Sequence, residues 1–445
     1  IEDNKFLSKK RNRLLYLMEK GKVEHMNGNY KESNHLFEEA YILIDDRINT
    51  NAGQAVAAKL TNPMAAPYKG EDFEKVMIHY YMALNYFQLG MPNEALVEAK
   101  RINIKLLELN QKYKKNKNKY TEDAFAQILQ GLLYEATGDI NNAFIAYRNA
   151  EKLYAGNDNS YYGVQIPLQL QKDLVRTSKQ LGFTQEYQTY SKQFNLTAEE
   201  ITSHPAEAVI FWENGLGPAK DQTQITAVDG AFVAVDDAEN SIFIPIPLGT
   251  NLGITSIAIP KYVQRESFYK GARLKFNNQQ TNFQLVEDFY PIAKQTLHDR
   301  MLREAVDIAL RLGAKKATSA GLGAIAKELL GDDEEGIVKA GADIAGAATE
   351  KADTRNWQTL PATISYARVP LTEKENNTFI IEKYGMATDS DTISIPYKKG
   401  LQLVSYFDVG KATTNYVKPQ FKVQQDEVEK KAVTAKDSTS TQKIK

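Results

Sequence analysis

Gly131-Leu-Leu-Tyr134-Glu-Ala-Thr-Gly138-Asp-Ile140-Asn-Asn-Ala143, continued by Tyr147 and Ala150, decides how the first part of this chain folds. Small residues recur where two helices must touch, and bulky ones recur where the next pair stacks. Gly138 closes the first helix of the unit. The stretch reads as a helix-turn-helix unit that cannot bury its apolar side alone.

Working outward, the same offsets return. Gly21, Gly28, Tyr30, Phe37 and Ala40 form one copy, and Ala83, Tyr86, Gly90, Ala95 and Ala99 form another. A fourth copy, around Gly182 with Phe183, Tyr187 and Phe194, is degraded in the way a terminal capping repeat is expected to be. This is the tetratricopeptide (TPR) spacing. Gly or Ala at its eighth and twentieth positions lets paired helices approach, and aromatic residues at the eleventh and twenty-fourth fill the groove to the next pair. Stacked repeats imply a concave surface that takes a helix or extended segment of another protein. Glu24, His79, Tyr86, Gln127 and Tyr134, on the first helices of the pairs, are the candidate partner-binding residues.

The copies are unevenly spaced. Asn49–Tyr68, with two prolines and a run of alanines, reads as an insert, and Lys112–Lys119 as a basic solvated helix end and loop. Gly156-Asn-Asp158-Asn159 reads as a turn, since it lacks the downstream carboxylate of a calcium loop.

Near residue 203 the pattern changes to short β-branched and aromatic runs divided by Gly, Pro, Asn and Asp, the signature of antiparallel sheet. The runs are Glu207–Glu213, Gly230–Asp236, Ser241–Leu248, Gly253–Pro260 and Ala272–Phe276. The two prolines of Ser241–Leu248 make it an edge strand or place it outside the ladder. Helical spacing returns from Pro291, and Ala314–Glu350 becomes rich in Gly and Ala, as a closely packed hairpin would be. Strands resume at Ala362–Val369, Thr378–Tyr384, Thr392–Tyr397 and Leu401–Phe407.

The expected fold is therefore multidomain α + β: a TPR-like α-solenoid followed by a mainly antiparallel β domain with an inserted helical hairpin. Its segments are 1–200 for the repeats, 201–290 for the first part of the β domain and 291–353 for the helical insert. Residues 354–423 supply the returning strands, and 424–445 form a polar, disordered tail.

Composition bounds the chemistry. With 445 residues, 42% hydrophobic and 25% charged, the chain is an ordinary globular one of more than one domain. A net charge of -1 argues against a broad nucleic-acid footprint. The absence of cysteine removes disulfides and thiol chemistry. The five histidines are scattered without metal-ligand spacing, so no metal or other cofactor is expected. Gly321-Leu-Gly323-Ala-Ile-Ala326 mimics a dinucleotide fingerprint but follows no buried strand. No Walker loop or serine elbow is present, and the expectation is of no enzyme. No uncharged apolar run approaches the ~20 residues of a membrane span.

Four phrases are shared in order and spacing with a known family. They are Tyr68-Lys-Gly70-Glu-Asp-Phe73-Glu74, Glu94-Ala-Leu-Val97-Glu98-Ala-Lys-Arg101, Glu213-Asn-Gly215-Leu-Gly-Pro218-Ala-Lys220 and Ala352-Asp353-Thr354-Arg355-Asn-Trp357-Gln-Thr-Leu360-Pro361. Across roughly residues 15–410 the chain resembles uncharacterised TPR-containing envelope lipoproteins of Gram-negative, Bacteroidota-like bacteria. The resemblance implies a lipid anchor preceding residue 1, residence at the periplasmic face of the outer membrane, and envelope proteins as partners, such as those of an outer-membrane complex. It carries no catalytic residues. The chain starts at Ile1 and shows no lipid-bearing cysteine.

Read physically, Asp353, Arg355, Trp357 and Pro361, with Glu213 and Gly215, make a structural corner rather than a ligand site. Two functions follow: a non-catalytic protein-binding scaffold using the TPR groove, or a cell-wall glycan-binding or modifying protein acting through the β domain. The second expects a cleft near Trp212, Trp357, Glu213 and Asp353.

Overall fold

The central strand of the molecule, Ala206–Asn214, is buried along its whole length. The reason is visible in its sequence, AEAVIFWEN: a near-continuous apolar run suits a strand covered on both faces. Ala206, Ala208, Ile210 and Trp212 enter one core, and Val209 and Phe211 enter another. Those two cores define the architecture, with a helical array on one side of a sheet and a second sheet on the other.

The structure is a computed structural model that describes residues 4–49, 64, 66–111, 118–228, 231–235, 241–245, 256–301, 352–373 and 375–410. The array comprises α1 (Arg13–Met26), α2 (Tyr30–Asn49), α3 (Asp72–Gln88), α4 (Pro92–Gln111), α5 (Ala124–Ala136), α6 (Ile140–Ala155), α7 (Leu168–Gln180) and α8 (Thr184–Phe194). They pack as successive hairpins, α1 on α2, α3 on α4, α5 on α6 and α7 on α8.

The repeat signature acts inside each hairpin. A Cβ placed on Gly131 would lie 2.3 Å from Cε1 of Tyr147, and one on Gly21 would lie 2.7 Å from Cε1 of Phe37. The ring of the second helix thus rests on the bare backbone of the first. In the middle hairpin the corresponding pair is Ala83 and Ala99, both fully buried, so size is traded across the contact. The same ring also reaches the next pair, as Phe37 stacks on Tyr81 of the following hairpin at 5.9 Å.

Each first helix ends on a left-handed glycine: Gly28, Gly90, Gly138 and Gly182 have φ between 71° and 82°. At Gly138 the amide of Asp139 donates to the carbonyl of Tyr134 at 2.9 Å, closing the helix by a Schellman-type bond. The Asp139 carboxylate then accepts from the amide of Asn142 at 3.1 Å and starts α6.

A two-residue pair, β1 (Ser160–Tyr161) and β2 (Val164–Gln165), follows α6 after a turn in which Asp158 and Asn159 are left-handed, as expected of that segment. The remaining strands are β3 (Ala206–Asn214), β4 (Ala219–Val228), β5 (Ala231–Val235), β6 (Ser241–Pro245), β7 (Ser256–Val263), β8 (Tyr269–Phe276) and β9 (Gln279–Asn282). They continue with β10 (Gln284–Asp288), β11 (Thr363–Pro370), β12 (Asn376–Gly385), β13 (Asp389–Pro396) and β14 (Gly400–Asp408).

Three larger sheets result, in the orders β10-β11-β3-β14, β13-β12-β8-β9 and β6-β5-β4-β7. Among the described strands, pairing is antiparallel except between β14 and β3, which run parallel. β6, the proline-bearing strand, is an edge strand, as its composition requires. Residues 289–301 are helical; the segment follows β10, which pairs with β11 in the sheet, and it buries Ile292, Ala293, Leu297 and Met301 in the core shared with the array. The Gly/Ala-rich hairpin at Ala314–Glu350, the fingerprint-like Gly321–Ala326 and the tail 424–445 lie outside the described residues. So do residues 50–63 and 65 of the insert and 112–117 of the basic segment.

The first sheet and the second form a sandwich, with Trp212 against Phe283 at 5.8 Å between ring centres. Inside it, the Lys383 ammonium bonds Asp408 at 2.5 Å and Asp391 at 2.6 Å and lies 4.5 Å from the ring centre of Tyr269.

Two glycine substitutions separate backbone from packing effects. Gly138→Ala is expected to lower unfolding free energy by about 1–2 kcal/mol, the cost of holding an L-residue left-handed. Gly131→Ala should cost more, because the Tyr147 ring must move. Urea denaturation of both variants checks the order.

Candidate docking surfaces

The inner side of a TPR array is where a partner is expected, and here the chain's own sheet occupies it. The array and the first sheet share one apolar core. Phe125 of α5 meets Phe211 of β3 at 5.7 Å, and Phe211 stacks on Tyr366 of β11 at 6.5 Å. The Gln88 amide at the end of α3 donates to the carbonyl of Leu403 in β14 at 2.6 Å. The odd-numbered residues of β3 all face the helices, including the two charged ones, Glu207 and Glu213.

Charge crosses this interface at three places. At the first, Lys22 of α1 and Glu213 of β3 form an ion pair in which both side chains are fully buried. The Tyr81 hydroxyl donates to the same Glu213 oxygen at 3.0 Å, and the Lys22 ammonium lies 4.1 Å from the Tyr81 ring centre. Burial pulls the Lys22 ammonium down, and Glu213 opposes that shift. Beside them His25 is held at about 4 by burial and the Lys22 charge, so it is neutral at pH 7. Its Nδ1 lies 2.6 Å from Asn85 Oδ1.

At the second, Arg368 of β11 forks onto both oxygens of Glu135, at 3.0 and 3.1 Å, and bonds Glu207 at 2.6 Å and Asp173 at 3.0 Å. Arg176 of α7 adds bonds to Glu135 at 2.5 Å and Asp173 at 2.9 Å. The two guanidiniums hold the Glu135 carboxyl far below its ordinary range, against the opposing effect of burial. Burial instead raises Asp173, whose Oδ2 has no partner among the described residues.

At the third, three of the four phrases quoted from the sequence meet. Glu71 accepts from Lys220 of β4 and, at 2.6 Å, from Arg300 of the helix at 289–301. Burial works to raise the Glu71 carboxyl, and the two cations overcome it and hold it at about 2. Glu74 accepts from the Tyr68 hydroxyl at 2.5 Å, the Glu71 amide at 2.9 Å and the Trp357 amide at 2.6 Å. Burial, then the charge of Glu71, raises it to about 7.

Arg355 bonds Asp353 through Nε at 2.8 Å and Nη2 at 2.7 Å, then reaches Asn12 at 3.0 Å and the Ala66 carbonyl at 2.9 Å. Trp357 packs between Phe37 and Tyr81, each 5.8 Å away. Pro361 is buried, and Gly215 is required twice over, by a left-handed φ of 69° and by Ser267, which leaves no room for a side chain.

The cleft expected around Trp212, Trp357, Glu213 and Asp353 is corrected by this arrangement. The two indoles are buried in different cores, and Glu213 is paired with Lys22.

The expected groove residues are equally turned inward or aside. His79 is buried, its Nδ1 2.7 Å from Glu98 of α4 and its ring edge-on to Tyr41 at 5.1 Å, so it lines no surface; this corrects its placement in an open groove. Glu24 is half-buried and accepts from Asn29 at 2.7 Å. Tyr86 is half-buried against the common core, and Gln127 is half-buried in α5. Tyr134 is half-buried, with the Lys100 ammonium 5.0 Å from its ring centre.

Sequence reading missed Lys22, Glu135, Asp173, Arg176, Lys220 and Arg368. One signal was present: Arg368 is a lone charge inside the apolar strand TISYARVP, and such a residue needs a buried partner.

The most exposed large apolar side chains of the helical array lie on second helices. Val97, Ile104 and Leu107 of α4 and Ile42 of α2 are each about half exposed. Lys105 of α4 bonds Asp45 of α2 at 2.7 Å, which brings the two helices together. Among the described residues no group of three His, Cys, Asp or Glu side chains could hold a metal ion, and no helix is long and apolar enough to cross a membrane.

No protein-family model matches the chain, and no curated protein matches it. Among solved structures it is similar to a kinesin-light-chain protein of Podosopora anserina built of nearly identical TPR-like repeats. That match has a TM-score of 0.28 and 15% identity, over 43% of this chain and 81% of the other. A point variant of the same fungal protein matches with a TM-score of 0.21 and 14% identity, over 42% and 95% of the two chains. At such scores the likeness is loose, and the TPR-like assignment rests on the hairpins and glycine turns described above. The molecule is a helical-repeat protein folded onto its own β-sandwich.

Two outcomes follow from the buried charges. Lys22→Met strands Glu213 without a cation and is expected to cost about 3–5 kcal/mol, whereas adding Glu213→Leu should restore most of it; urea denaturation of the single and double variants measures both.

The pH dependence has two windows. Glu74 is raised in the fold, so its contribution is complete below about 4.5 and is lost as pH rises through about 7. His25 is lowered, so its contribution is complete above about 6.5 and is lost as pH falls through about 4. Of these two groups only Glu74 acts above pH 6.5, and buried Glu287, raised well above its ordinary value, acts in the same direction, so the midpoint of thermal unfolding should fall between pH 6.5 and 8. Glu74→Gln should make that limb shallower and leave the acid limb in place.

Proposed function

We propose that this chain is a non-catalytic protein-binding scaffold of the bacterial cell envelope, and that it docks its partner on the outside of the helical array rather than in the hollow. One observation carries the reading. The hollow is filled by β3, β11 and β14, while α4 turns Val97, Ile104 and Leu107 to solvent.

Positions 97, 104 and 107 fall at a, a and d of a heptad, the spacing of a helix–helix seam that uses about one side chain per turn, with Lys100 at the intervening d position. Lys100 and Arg101 lie between them on the exposed side. The fitting partner segment is therefore an amphipathic helix with aliphatic anchors and a carboxylate at the level of Lys100. Location at the outer membrane, facing the periplasm through a lipid anchor, is supported by the sequence resemblance alone.

The test is photo-crosslinking from position 104 in cells, with mass spectrometry of the adduct, alongside copurification of an Ile104→Glu/Leu107→Glu double variant. The adduct should be with one envelope protein, and the double variant should lose that protein while melting at the wild-type temperature. Retention of the complex by the double variant would move docking elsewhere. Recovery of the chain in a fraction other than the outer membrane would remove the envelope assignment.

A further inference from the structure

We infer that the outer face of the second sheet carries a binding site for an anionic glycan, centred on Tyr384. This site is independent of the α4 seam, since the second sheet packs in a core that contains no residue of the helical array.

Tyr384 of β12 stands opposite Gly271 of β8 in the ladder. A Cβ on Gly271 would lie 2.4 Å from the Tyr384 hydroxyl oxygen and 2.5 Å from Cζ, so the phenol ring lies across the bare glycine backbone. The ring is 49% exposed. One side of it is fixed by the sheet and the other meets solvent, which makes a preorganised stacking platform rather than a side chain that must be ordered on binding. Buried aromatic area in soluble proteins is abundant; a half-exposed ring pinned flat on a strand is a surface feature that asks for an apolar, rigid partner. The C–H face of a pyranose ring has that form.

The neighbouring rung supplies the polar half of the site. Glu382 stands opposite Arg273 and is held by Arg273 Nε at 2.6 Å and Lys275 Nζ at 2.6 Å. Ser390 of β13 stands opposite Glu382 on its other side. Lys270 is the extra residue where the register shifts beside Tyr384 and Gly385, and it is exposed. The face thus brings three cations and one carboxylate to a single aromatic platform, a net positive surface.

A guanidinium fork suits a carboxylate, and the Glu382 oxygens and Ser390 hydroxyl suit sugar hydroxyls. Protein hot spots sit in packed, desolvated pockets, whereas this face is open and charge-rich. Binding of single-stranded nucleic acid uses a row of aromatics to stack successive bases, and the platform here is a single ring. A chain of pyranose rings bearing carboxylates is the ligand whose chemistry fits.

Calorimetric titration of the full chain with oligogalacturonate, cellohexaose and oligothymidylate tests this assignment. Oligogalacturonate should bind measurably tighter than the other two. Tyr384→Ala should weaken it by on the order of tenfold, the scale of one aromatic contact. Tyr384→Phe should retain binding, since the ring carries the stacking. Arg273→Gln should weaken the acidic glycan more than the neutral one. Circular dichroism and melting of each variant keep loss of fold distinct from loss of site. The assignment is overturned by absence of oligogalacturonate binding, by equal binding to a folded Tyr384→Ala variant, or by oligothymidylate binding as tightly, which would reveal simple polyanion exchange.

Discussion

A buried charge must find its counter-charge inside the protein, and in this molecule that demand joins the two halves. Lys22 lies on the first helix, and the carboxylate that neutralises it lies in the central strand. Arg368 lies in a strand, and Glu135, Asp173 and Arg176 lie on helices. Neither half can expose its inner face without stranding ions from the other. Pairs of this sort add little net stability compared with apolar packing of the same volume, yet losing one member is costly. Their effect is to fix how array and sheet register against each other, much as polar residues at a coiled-coil seam fix its register.

The filling of the hollow changes what a repeat array can do. An open solenoid offers the inner faces of its first helices. Here those faces have become interior, which is why β3 is buried on both sides and why its sequence is apolar throughout with only Glu207 and Glu213 charged. The surfaces left for partners are the backs of the second helices and the outer face of the sandwich. The first is aliphatic, the second aromatic and cationic, and they suit different ligands.

Much of this was legible from residue order. The hairpins could be read because a glycine at the turn and a small residue at the helix contact are local requirements, met within a single helix pair. Strand positions were legible from alternation, and the edge position of β6 from its prolines. The Asp353–Arg355 pair and the packed indole of Trp357 stand where a corner was expected. The closure of the hollow was not legible, because a repeat's inner face has the same apolar character whether a partner or a distant strand covers it. The clue lay in isolated charges such as Arg368, whose meaning appears only when Glu135 is known to be close. Gly271 was silent for the same reason: its partner, Tyr384, lies across a ladder set by long-range pairing.

The parallel pairing of β14 with β3 has a consequence for biogenesis. Asn214 cannot meet Asp408 until nearly the whole described chain has been made, whereas the helical hairpins complete themselves locally. Contacts of such long sequence separation form late. A nascent chain therefore carries finished helices with an uncovered greasy inner wall, and unmatched ions on it, for as long as synthesis continues. Chaperone escort during that interval, rather than any demand of the mature protein, is the cellular burden that this topology creates.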